Sequence, residues 1–157
     1  MAIDALPKAV NSPARLDART DMLLASYYAG CAIHLCSTSI AHALSHALAR
    51  LAPVNHGLAT ALAFEITLPF ILSAQTEDMQ KAVSAFGVSE FSAMPDALSK
   101  FMDQLGIEWR LPEAFDKFSA EDLMPVLLSD EIQPMRQACV VYANDEQLFD
   151  FAKALLR

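Results

Sequence analysis

Only four glycines occur in 157 residues, and the stretches between them are rich in alanine and leucine. Ala and Leu are strong helix formers, whereas glycine is costly inside a helix, so a chain of this make-up is driven towards helices that bury broad apolar faces. No run alternates convincingly between apolar and polar residues. Ala138 to Tyr142 comes nearest to a strand and suits a short extended connection. The length is that of one domain able to bury a core without disulfides or a structural metal. The expectation is therefore all-α: one helical-bundle-like domain over residues 1–157.

Local signals divide the chain into helices. Residues 1–16 read as a helical or irregular lead-in broken at Asn11-Ser12-Pro13. A long helix begins near Asp17, where Leu24, Tyr27, Tyr28 and Cys31 follow the i, i+3, i+4, i+7 spacing of a buried stripe. Ser37-Thr38-Ser39 interrupts it, because hydroxyl side chains compete for backbone hydrogen bonds. After a turn between Pro53 and Gly57, a helix is predicted from Leu58 to Thr67, ending before Pro69. Thr76-Glu77-Asp78 starts a helix through Phe86 that Gly87 closes. Leu98, Phe101, Met102 and Leu105 form an amphipathic stripe stopped by Gly106. Ser119 followed by Asp122 opens a further helical turn, and Asn144 with Gln147 forms a capping box for the last helix, whose core stripe is Leu148, Phe151, Ala152 and Leu155.

Charge narrows the range of functions. A net charge of −8 and a pI near 4.8, with no Lys/Arg cluster, argue against nucleic acid as a partner, and acidity disfavours an anionic membrane surface. The apolar stretch from Met22 to Leu51 is broken by histidines, serines and Arg50 and does not read as a membrane span. Met1 to Pro13 lacks the basic start and apolar run of a signal peptide. Three cysteines, Cys31, Cys36 and Cys139, make no disulfide framework; they suit a reducing cytoplasm and the role of small buried hydrophobes. At 54% hydrophobic and 19% charged, the chain is apolar enough that a second domain or subunit could cover part of its surface.

All four histidines, His34, His42, His46 and His56, fall within 23 residues. His42 and His46 stand at i and i+4, so both rings leave one face of a helix, and His56 follows in the turn to the next helix. Such a pair can share a metal or simply hydrogen-bond within an Ala/Leu-rich core. The zincin form of this spacing needs a Glu after the first His, where Ala43 stands, and no Asp or Glu lies between Asp21 and Glu65. Trp109 reads as a loop anchor.

Three segments carry a resemblance: Ala25-Ser26-Tyr27-Tyr28-Ala29-Gly30, Ile40-Ala41-His42-Ala43-Leu44-Ser45-His46, and Val54-Asn55-His56-Gly57-Leu58-Ala59. Together they resemble the helical C-terminal domain of the iron-dependent (group III) alcohol dehydrogenases, in the dehydroquinate synthase-like superfamily. The His-x3-His-x9-His-Gly signature is the specific part. Leu105-Gly106-Ile107 and Asn144-Asp145-Glu146-Gln147-Leu148 are similar to later helix boundaries of that domain. The resemblance implies His42 and His56 as metal ligands and His46 as a catalytic group near nicotinamide and substrate, orienting or relaying a proton. It implies Fe(II) or Zn(II) and NAD(P) as cofactors of the complete enzyme, and interconversion of an alcohol with an aldehyde or ketone.

The chain departs from that family in two ways. The upstream Asp-x-x-x-His ligand helix and the Gly-rich pyrophosphate loop with its β-α-β frame are missing, so the chain reads as beginning just after the ligand helix. Two imidazoles make a poor site alone, since a catalytic metal normally keeps three protein ligands and an open position. The isolated chain is therefore expected to be inactive and to bind little or no metal, with the missing nucleotide-binding domain or a second subunit as partner. A homo-oligomer pooling His42 and His56 is another route to a site. The alternative is a stand-alone helical interaction or subunit protein with vestigial histidines.

Overall fold

The computed structural model describes residues 1–106 and 108–157. Ile107, the last residue of the Leu105-Gly106-Ile107 match, lies outside the described residues. Among the described residues there are nine α-helices, two single 3-10 turns and no strand. None of the helices is long and apolar enough to cross a membrane. The chain forms two compact units, Met1–Ser37 with Gln75–Glu108, and Thr38–Ala74 with Trp109–Arg157.

In the first unit α1 (Ala2–Asn11) packs on α2 (Leu16–Cys36), and the expected break falls at Ser12–Arg15. Thr76 caps α5 (Glu77–Ala85), its hydroxyl accepting the Met79 N–H at 3.3 Å. Gly87 closes that helix at a left-handed φ of +77°, which glycine adopts without steric cost. A 3-10 turn at Phe91–Ala93 leads into α6 (Met94–Asp103), and Leu98, Met102 and Leu105 are buried as their spacing predicts. Phe101 is half-buried and meets Phe86 edge-on at 5.8 Å.

The long helix corrects one expectation. Leu24, Tyr27, Tyr28 and Cys31 are exposed, Tyr27 at 66% and Tyr28 at 60%, and the two tyrosine rings contact each other instead. Apolar residues surround α2 on all sides, so their periodicity does not reveal which side is packed. The packed side carries Ala18, which is buried, with Met22 and Ala25 half-buried at i+4 and i+7. Cys31 and Cys36 lie outside any core for the same reason, and only Cys139 is the buried hydrophobe expected of all three.

The second unit is built on α3 (Ile40–Leu51), which packs against α4 (His56–Leu72), α7 (Ala120–Leu127) and α8 (Gln133–Gln137). The last helix, α9 (Asp145–Leu155), packs on α4 and α7. Leu44, Leu48, Leu123, Leu127 and Ala152 are fully buried in one continuous core. Trp109 is half-buried and packs against it. The expected capping box forms, Asn144 and Gln147 exchanging bonds at 2.9 and 3.0 Å, and a second one caps α7, where Asp122 accepts the Ser119 N–H at 2.8 Å.

Two boundaries differ from expectation here. Helix α4 starts at His56 and continues through Pro69 to Leu72. Proline has no N–H to donate four residues back and would ordinarily stop a helix. Packing on both sides of it outweighs that loss: Leu68 and Leu72 are buried, and Phe70 and Ile71 pack against a second cluster of Ile40, Cys139, Ala143 and Leu148. Residues 138–142 pass through a turn and bends, with no strand among them, as the weak alternation there implies.

Candidate metal centre

The three clustered histidines stand where α3 meets α4, inside the second unit. His42 lies on the first turn of α3, half-buried because its neighbours Ala41, Ala43 and Leu44 are in the core. One turn on, His46 is exposed. His56 is the first residue of α4, and it owes that place to Asn55, whose side-chain oxygen accepts the Leu58 N–H at 3.1 Å and so caps the helix. Gly57 belongs to the same device, since a Cβ there would lie 3.3 Å from the Asn55 oxygen.

This arrangement brings residues 42 and 56 together. Their ring centroids are 5.5 Å apart, and the His46 ring lies 5.6 Å from that of His56. The Ser45 hydroxyl lies 3.0 Å from His56 Nδ1, which leaves Nε2 as the nitrogen available to a ligand. Burial first, then the nearby His56 and His46, push His42 below the ordinary imidazole range. It is therefore neutral near pH 7, the form that binds metals.

His34 belongs to the other unit, on the exposed end of α2. Ser45 and Asn55 carried no functional expectation. Asn directly before a helix is a capping signal legible in sequence, but a bond from Ser45 to a residue 11 positions away is not.

The donors suit a divalent metal in kind, because imidazole nitrogen is a ligand for iron and zinc alike. In number they fall short. No group of three or more His, Cys, Asp or Glu side chains among the described residues is disposed to hold a metal ion. His42 and His56 are two imidazoles, where a metal shell normally takes at least three ligands from protein.

Comparison with known proteins bears on the same residues. The model of the Fe-containing alcohol dehydrogenase family, C-terminal domain, matches residues 1–124, a span that includes the whole histidine cluster. No curated protein and no solved structure gives a significant match.

Proposed function

Because the chain belongs to the Fe-containing alcohol dehydrogenase family through that C-terminal domain, we propose that it is the metal-holding helical part of an NAD(P)-dependent alcohol dehydrogenase. Such an enzyme interconverts an alcohol and an aldehyde or ketone. The observation that carries this reading is the meeting of His42 and His56, from two helices, at 5.5 Å. These two residues would hold Fe(II) or Zn(II). The remaining ligands and the NAD(P) site belong to a nucleotide-binding domain or second subunit that acts with this chain.

A divalent metal supplies Lewis acidity towards a substrate oxygen, and the nicotinamide supplies or accepts the hydride. The chain's own residues do the rest. Neutral His42 offers a lone pair without first losing a proton. His46, exposed beside His56, would orient substrate and pass a proton between its hydroxyl and solvent. The α3–α4 core keeps these rings on rigid elements.

On this reading the isolated chain is inactive. Anaerobic titration with Fe(II) and then Zn(II), beside His42→Ala and His56→Ala, should give weak binding that either substitution abolishes. NAD(P)-dependent alcohol oxidation should arise only when a nucleotide-binding domain of the family is added in trans. Oxidation by the chain alone would overturn the proposal. A second reading, a helical interaction protein with vestigial histidines, is favoured by the exposed apolar residues of α2. It expects metal binding indifferent to both substitutions.

A further inference from the structure

The side of α2 opposite Ala18, Met22 and Ala25 carries Thr20, Leu23, Tyr27, Cys31 and His34, all exposed. They follow one another at three or four residues, the spacing at which two helices pack knobs into holes. Leu24, Tyr28 and Leu35 widen the strip on one flank. Leu16, Leu23, Leu24, Tyr27, Tyr28 and Leu35 are each between 41% and 81% exposed, which leaves on the order of 750 Å² in water, near the ~800 Å² that each partner gives to an interface of standard size. A contiguous apolar patch of this extent is more than a monomer ordinarily exposes.

The strip is also free of charge. Residues 22–36 contain no Asp, Glu, Lys or Arg, in a chain whose net charge is −8. Like charge keeps two copies of such a chain apart over most of their surface; here nothing opposes their contact. We propose that this face of α2 is a homodimer interface, two α2 helices pairing antiparallel about a two-fold axis at Tyr27. A two-fold interface needs only one self-complementary patch on each copy. The antiparallel order sets the charged start of each helix, Arg15 to Asp21, against the uncharged half of the other, whereas a parallel pair would stack Asp17 on Asp17 and Asp21 on Asp21. It places Leu23 opposite Cys31 and Thr20 opposite His34. Long helical side chains lean towards their own N-terminus, so each Tyr27 ring reaches Gly30 of the second copy, where a Cβ would meet nothing within 4 Å. The pairing is concentration-dependent, so α2 is bare in dilute solution, and it is independent of the reading of the histidines.

Sedimentation equilibrium of the full chain in reductant, over a dilution series, should fit a monomer–dimer equilibrium. Tyr27→Asp and Tyr27→Lys should each weaken it by at least about 30-fold, the loss of a central aromatic anchor, with unchanged circular dichroism. Mixing the two variants should restore a dimer, because only at a two-fold axis does position 27 meet itself. Val140→Asp, at a residue 54% exposed outside α2, should leave the equilibrium as it was. In a Cys36→Ser background with oxidised glutathione, Leu23→Cys should give a covalent dimer that Cys31→Ser prevents. A monomer at every concentration overturns the proposal, whether the face stays bare or is covered only once a nucleotide-binding domain is added. So do association indifferent to both Tyr27 variants, open-ended oligomers, and a mixture that stays monomeric. A cross-link that survives Cys31→Ser marks a parallel pair and overturns the antiparallel register.

Discussion

A histidine held half out of water beside two others is sensitive to acid. His42 is lowered by burial and then by the neighbouring His56 and His46 from an ordinary value of 6.5. The unfolded chain therefore takes up that proton first as pH falls, and stability is lost between 6.5 and the lower folded value. Above 6.5 both states are neutral at this residue, and it adds no pH dependence. The metal-free protein, melted in chelator between pH 7.5 and 5.5, should show a falling Tm. His42→Gln should flatten that slope. At this scale the sequence spoke clearly of the histidines, because their spacing alone puts two on one helix face. It was silent on Ser45, since one serine on an Ala/Leu helix looks the same whether its hydroxyl meets water, its own backbone or a residue of the next helix.

Helices α2 and α3 look alike as strings of apolar residues, and they differ in what meets them. Only Ala18 is buried among the 21 residues of α2, against seven of the 12 residues of α3. Hydrophobic stabilisation follows the area removed from water, not the composition of the helix. Leu23→Gln and Leu35→Gln, at 75% and 81% exposure, should each change unfolding free energy by no more than about 0.5 kcal/mol. Leu44→Ala or Leu48→Ala, at 0%, should cost about 2–5 kcal/mol. Denaturant titration of the four variants separates the two classes. Helix starts were the most legible part of the chain, because Thr76, Ser119 with Asp122, and Asn144 with Gln147 act on backbone groups within their own first turn. The buried side of α2 and the passage of α4 through Pro69 were not legible. The course of α4 depends on residues distant in sequence, Cys139, Ala143 and Leu148, and the buried side of α2 on how the neighbouring α1 lies against it; that packing decides between faces that the local pattern leaves equivalent.

Across the whole molecule, the features tied to the proposed chemistry gather in one unit. The continuous core of α3, α4, α7 and α9 belongs entirely to the unit that carries His42, His46 and His56. On the proposed reading, a ligand pair on well-buried helices would keep its geometry without the metal, which a part completed by another polypeptide would require. Family membership was readable from the short His-x3-His-x9-His-Gly pattern because a metal site demands fixed residue types at fixed spacing, whereas the division into two units has no such local signature. Local opening is governed by buried apolar contact, so it should follow that division. In native-state hydrogen exchange, amides of residues 44–48 and 148–152 should be the slowest and should approach the global unfolding free energy. Those of residues 26–35 in α2, all exposed, should exchange faster than the α3 core despite lying in the longest helix. Equal protection of residues 26–35 and 44–48 would mean that α2 is buried in solution, and that the free chain carries a partner on that helix.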